Sequence, residues 1–155
     1  MTFMTWTEDM SVGLNELDED HRALIRIINQ LAENADDGAD GKILRQCLFA
    51  LTRYAEYHFG REEAVMAACG YPELVDHKEE HKDFTANIHK IAKSFSEISP
   101  DAVPTVNQEL LDYLKEWLMH HIMIIDRSYQ PFVVDKPAAR SAARSFKATH
   151  VWWQA

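Results

Sequence analysis

The sequence predicts an all-α fold: an antiparallel up-down-up-down four-helix bundle with an N-terminal arm and a C-terminal tail. Three observations carry this prediction. Four stretches repeat apolar residues at the three- and four-residue steps of an amphipathic helix. Short clusters of Gly, Asp and Pro separate them, and short connections favour antiparallel neighbours. The 155 residues are 46% hydrophobic and 26% charged with five glycines, which suits one ordered domain with a core of its own.

Residues 1 to 17 read as an irregular arm whose Trp6, Val12, Leu14 and Leu17 cover one end of the bundle. The first helix begins near Asp18, a residue of N-cap type, and carries His21, Leu24, Ile28 and Leu31 on one face. The turn cluster from Asp36 to Gly41 ends it. The second helix lines up Leu44, Leu48, Leu51, Ala55, His58, Glu62 and Met66, then stops at Gly70, a C-cap residue, with Pro72 in the first turn of the next helix. The third is the most regular, with Leu74, His77, His81, Phe84, Ile88, Ile91 and Phe95, and it ends before Pro100. The fourth opens near Pro104-Thr105 and runs through Leu110, Leu114, Trp117, Leu118, His121, Ile122 and Ile125, with Pro131 as its latest end.

Beyond the bundle, Ala138 to Lys147 is rich in Ala and Arg and is a candidate for a short fifth helix before Val151-Trp152-Trp153. Residues 136 to 155 hold Lys136, Arg140, Arg144 and Lys147 and no acid, although the whole chain has a formal charge of −9. That acidity argues against binding nucleic acid or an anionic membrane through the surface at large. Folding back on the bundle is the plainer expectation for the tail, and docking to an acidic partner or a second subunit is the sharper one. No stretch is long enough to span a bilayer, the start has no signal-peptide pattern, and Cys47 and Cys69 form no CxxC motif. A soluble, cytoplasmic, monomeric protein is expected, with the tail as the candidate surface for association.

The chemistry lies in His21, His58, Glu62, His77, His81, His121 and Asp126. His58 and Glu62 are four residues apart, as are His77 and His81, so each pair shares a helix face. These polar groups fall on the apolar stripes, where burial without a partner is costly. A bound metal resolves the conflict, and imidazole with carboxylate suits iron, zinc, manganese or copper. A single HxxxH or HxxxE pair arises often by chance; four stretches with matched orientation do not. Seven ligands exceed one ion, whereas two ions bridged by both carboxylates use them all. With a shared solvent oxygen, the ion holding three histidines is closed and its neighbour with two keeps an open position. Ferritin-like diiron sites need Glu-x-x-His pairs, and this chain has only Asp18-x-x-His21. His89, His120 and His150 fall off the stripes and read as surface residues.

His121 and Asp126 are five apart, roughly 140° around a regular helix. They converge only if the fourth helix widens into a π-type turn there; an unbroken α-helical ladder over residues 118 to 128 would refute this.

The order His21, His58-x-x-x-Glu62, His77-x-x-x-His81, His121-x-x-x-x-Asp126 resembles the hemerythrin family, in particular single-domain bacteriohemerythrins. Trp6, Ser11-Val12-Gly13, His58-Phe59, Glu62-Glu63, Tyr71-Pro72, Trp117-Leu118 and His121-Ile122 agree with it. The resemblance covers about residues 6 to 132, dividing the chain into a bundle of residues 1 to 132 and a basic, Trp-containing extension of residues 133 to 155. It implies two non-haem Fe ions with an oxo or hydroxo bridge, and reversible O2 binding for storage, transport or delivery to an O2-consuming enzyme. His77, His81 and His121 would hold the closed iron, His21 and His58 the open one, and Glu62 and Asp126 would bridge. Leu24, Phe59, Trp117, Leu118 and Ile122 match positions lining the O2 pocket. The implied protein is a carrier, not an enzyme. A diiron enzyme acting on peroxide or nitric oxide, and an oxygen or iron sensor, remain alternatives.

Overall fold

The computed structural model describes residues 3–36, 41–97 and 103–146. Four long helices, α1 (Asn15–Asp36), α2 (Gly41–Ala68), α3 (Leu74–Glu97) and α4 (Val103–His120), form the bundle, followed by α5 (Gln130–Val133) and α6 (Pro137–Ser145). Among the described residues there is no strand. Their directions follow from the seven polar residues: the start of α1, the end of α2, the start of α3 and the residues just after α4 all meet at one level. Only an up-down-up-down arrangement brings those ends together.

The apolar stripes meet along the axis. Leu24, Ile25, Ile28 and Leu31 of α1 join Leu44, Leu48, Leu51 and Ala55 of α2, Phe84 and Ile88 of α3, and Leu110, Leu111, Leu114 and Leu118 of α4 in one buried cluster. A second cluster closes the end where those polar residues meet: Val12, Leu14 and Leu17 with Val65, Met66, Tyr71, Tyr129, Val133, Ala139 and Ala143. The α2–α3 connection has a Schellman cap, in which the Tyr71 amide donates to the Met66 carbonyl and that of Gly70 to Ala67. Gly70 sits there at φ +68°, where a side chain would be strained. Pro72 falls in this connection, two residues before α3 begins, and not in the first turn of the helix.

Three further expectations shift. The first helix starts at Asn15, ahead of Asp18, because Asp18 faces back towards the arm: its carboxylate accepts from the Val12 amide at 2.9 Å and the Ser11 hydroxyl at 2.6 Å. The arm also reaches further than one end. Met4 exchanges two hydrogen bonds with the Asn29 side chain, at 2.8 and 2.9 Å, so the arm runs back along α1. Near the end where the polar residues meet, Gly13 adopts φ +85°, and a Cβ there would collide with a Val134 methyl. Finally, Pro131 does not stop the helical path. It occupies the first turn of α5, where its missing N–H costs nothing.

The expected fifth helix is α6. Ala139 and Ala143 are buried against the bundle, and the Arg144 guanidinium meets Glu16 of α1 at 3.0 Å. The turn residues 37–40, Pro100, Lys147 and the Val151-Trp152-Trp153 segment lie outside the described residues. No helix among the described residues is long and apolar enough to cross a membrane.

Candidate metal centre

All seven sequence-selected polar residues are buried, the most exposed being His77 and His81 at 3%. The local geometry that assembles them differs by helix. On α2 and α3 the four-residue spacing suffices. After α4 the helix widens: residues His121–Ile125 form a π turn in which the Asp126 amide bonds to the His121 carbonyl, five residues back. A tighter 3-10 turn, Asp126–Tyr129, comes next. The wide turn absorbs the angular mismatch, and Asp126 Oδ1 comes to 2.9 Å from His121 Nε2.

The ligand candidates sort into two sets that share both carboxylates: His77, His81 and His121 with Glu62 and Asp126, and His21 and His58 with the same two. Each carboxylate turns one oxygen to each set. Glu62 Oε1 lies 3.0 Å from both His77 Nε2 and His81 Nε2, while Glu62 Oε2 lies 3.2 Å from His58 Nε2 and 3.5 Å from His21 Nε2. Asp126 Oδ1 is 3.0 Å from His77 Nε2, and Asp126 Oδ2 is 3.1 Å from His21 Nε2.

These spacings fit metal ions. Neighbouring ligands on a first-row ion with bonds of about 2.1 Å stand about 3 Å apart. His21 Nε2, His58 Nε2 and both Asp126 oxygens make no hydrogen bond despite complete burial, a cost that coordination removes. His81 Nε2 and His121 Nε2 stand 3.1 Å apart, the same ligand-to-ligand spacing.

Without metal, the charges settle among themselves. Burial disfavours an imidazolium, but the Asp126 and Glu62 carboxylates close by outweigh it and raise His21 and His77 to about 10. For His121 burial again opposes the charge, the adjacent Asp126 charge prevails, and the value is about 9. Burial favours a protonated Glu62, yet the surrounding imidazoles, His58 foremost, hold its carboxyl well below the usual range. Asp126 is likewise lowered by His121 and His21, against burial and the Glu62 charge.

An outer layer fixes the rings. His58 Nδ1 donates to Asp20 at 3.0 Å, and His81 Nδ1 donates to Glu63 at 2.8 Å. Each bond leaves Nε2 as the inward donor atom, as metal-bound histidines require. The Tyr129 phenol donates to Glu62 Oε2 at 2.9 Å. Burial, then the Glu62 and Asp126 charges, push that phenol well upward, so it stays protonated. Asp20 and Tyr129 escaped the sequence reading. The available signals were a second acid directly before His21 and an aromatic three residues after Asp126, both too common to stand out.

The apolar candidates occupy the surrounding wall. Leu24, Phe59, Leu118 and Ile122 are buried in the main core, with Trp117 packed against them. Phe59 stacks on His81 with centroids 3.9 Å apart and lies 5.9 Å from the His58 ring; Trp117 stacks on His121 at 4.4 Å.

The chain is similar to known proteins over most of its length. The profile of the hemerythrin HHE cation binding domain matches residues 12–133. Bacteriohemerythrin of Clostridium acetobutylicum is 32% identical over 127 residues, spanning 80% of this chain and 96% of that one. Bacteriohemerythrin of Methylococcus capsulatus is 30% identical over 132 residues, spanning 84% and 97%. A crystal structure of wild-type hemerythrin superimposes with a TM-score of 0.71 at 26% identity, covering 84% of this chain and 97% of its own. With its bundle, its buried His/Glu/Asp cluster and a profile match over most of its length, the chain belongs to the hemerythrin family.

Proposed function

We propose that the chain is an oxygen-binding protein that holds two non-haem iron ions, serving O2 storage, transport or delivery to an O2-consuming enzyme. The observation that carries this reading is the pair of ligand sets sharing Glu62 and Asp126. His77, His81 and His121 would hold one ion, His21 and His58 the other, and each carboxylate has an oxygen facing either set. An iron pair, when bound, supplies the reversible electron exchange with O2 that protein side chains lack. The relatives named bacteriohemerythrin, and the Myohemerythrin-1 of Phascolopsis gouldii at 30% identity over 125 residues, support the same choice.

The odd number of histidines makes the two halves unequal, and the half with two is the one left open to a small ligand. Leu24, Phe59, Trp117, Leu118 and Ile122, packed in the core beside the two sets, would supply the wall that keeps bulk water from it. Such a wall disfavours loss of a charged product and gives a bulky organic substrate no polar handle. Binding without turnover follows from that enclosure.

The test is iron quantification followed by an optical titration from anaerobic to aerobic buffer. Two irons per chain, with a visible band that appears with O2 and fades on its removal, is the expected result. Steady consumption of peroxide or nitric oxide with a reductant, and no reversible band, would move the assignment to an enzyme. Protein that takes up no iron would overturn it.

A further inference from the structure

Gly60 and Phe146 are 86 positions apart, yet a Cβ built on Gly60 would stand 2.7 Å from Phe146 Cζ. The aromatic ring therefore lies directly on the backbone of α2, in space that a side chain at residue 60 would fill. It is held there from α6. Ala139 and Ala143 are embedded in the second core cluster, Arg144 pairs with Glu16, and the Phe146 amide bonds to the Ala142 carbonyl at 3.1 Å. The profile match ends at residue 133, so this whole element lies beyond it.

From Phe146 a continuous chain of contacts leads to the metal centre. Its ring packs on Tyr57 with centroids 5.6 Å apart. Tyr57 takes a hydrogen bond from Arg61 Nη2, and the guanidinium carbon lies 4.9 Å from the Tyr57 ring centre. Arg61 Nη1 reaches Asp20 Oδ1 at 3.4 Å, and the Tyr54 phenol donates to the same oxygen at 3.0 Å. Asp20, 3% exposed, then accepts from His58 Nδ1 through its other oxygen. A second line arrives through the same cluster, where Tyr129 packs with Ala139 and Ala143 and donates to Glu62. The first line ends on His58 of the two-histidine set, the second on Glu62 Oε2, the oxygen of the shared carboxylate that faces that set.

We propose that α6 and Phe146 act as a positioning element for the metal centre, holding Tyr57, Arg61 and Asp20 so that His58 keeps its orientation and donor strength. This rests on the metal reading above. Phe146 touches no ligand; it limits where Tyr57 and Arg61 can go, and the Asp20 carboxylate converts that limit into the tautomer and tilt of His58. Displacement of α6 would loosen the two-histidine half, the half expected to take O2, and leave the Glu63–His81 bond in place.

The experiment compares the full chain with Phe146→Ala, Phe146→Leu and Gly60→Ala, the last leaving every named side chain present while driving the ring off α2. Iron content is measured first, then azide affinity of the oxidised protein. On zinc-loaded samples, NMR follows exchange with water of the His58 Nδ1 and His81 Nδ1 protons. The expected result is retained metal, about tenfold faster exchange at His58 for Phe146→Ala and Gly60→Ala, weaker azide binding, an unchanged His81, and partial rescue in Phe146→Leu. Unchanged His58 exchange and azide affinity in metal-loaded variants would overturn the proposal and leave α6 as a stabilising cap. Equal acceleration at His81 would also overturn it, since that marks general loosening. Wild-type protein that binds neither metal would instead remove the reading beneath it.

Discussion

The two halves of the centre are built by different means. In the three-histidine half, stacked aromatics add to the one His81–Glu63 bond: Phe59 lies flat on His81, Trp117 on His121, and Phe84 closes behind both at 5.7 and 4.1 Å. In the two-histidine half, His58 is fixed by a hydrogen-bond chain through Asp20, Arg61 and Tyr54. Packing resists displacement in every direction, whereas a hydrogen bond sets direction and electron donation. The shape-locked half suits an ion that stays closed. The hydrogen-bonded half suits one whose coordination changes when a ligand arrives.

The bridge is where the halves cannot be separated, so the largest effect belongs there. Asp126→Ala removes oxygens that face both sets. Metal analysis is expected to show loss of iron from both halves, and retention of two irons per chain would break the assignment. Trp117→Ala and Asp20→Asn then separate the halves. The first uncovers His121 and is expected to cost about 3 kcal/mol of stability and to speed autoxidation. The second keeps the volume but weakens the His58 bond, and is expected to lower small-ligand affinity about tenfold. If both variants shift stability and affinity alike, the contrast between shape and hydrogen bonding is wrong.

Metal-free protein gives a further test through pH. His21, His77 and His121 are held near 9 to 10 in the fold, against an ordinary value of 6.5. A raised folded value stabilises fully below about pH 6.5, and that stabilisation is lost as pH climbs through 9 to 10. Urea midpoints of metal-free protein are expected to fall across that window, while metal-loaded protein, whose histidines are already neutral ligands, holds steady. The smallest effect is expected from Tyr129→Phe, which removes a charge-assisted bond to Glu62 worth about 1.5 kcal/mol. Its signature is lower stability with metal content intact.

The helices and the shared level of the polar residues were legible because both are local. Periodicity placed Leu44 to Met66 on one stripe, and the five-residue gap between His121 and Asp126 demanded a wide turn, which the structure contains. What stayed hidden depends on partners that helical periodicity does not pair. Asp18 has the character of a cap, but its carboxylate serves Val12 and Ser11. Asp20 looks like any acid on a polar helix face until α2 brings His58 and Arg61 to it. Gly60 resembles a weak point in a helix, and only the return of residue 146 explains the missing side chain. Pro131 reads as a stop because nothing in the sequence reveals that a new short helix begins at Gln130, with the proline in its first turn.

That change of pitch at His121–Ile125 has a reach beyond the bond it makes. A π turn is an α-helix carrying one surplus residue, so everything after it is rotated by about 100° relative to a regular helix. Tyr129, α5, the Val134 methyl against Gly13 and the approach of α6 all inherit that phase. The surplus residue thus acts as an indexing tooth: removing it would turn the carboxylate away from the centre and the C-terminal structure away from the bundle in the same movement.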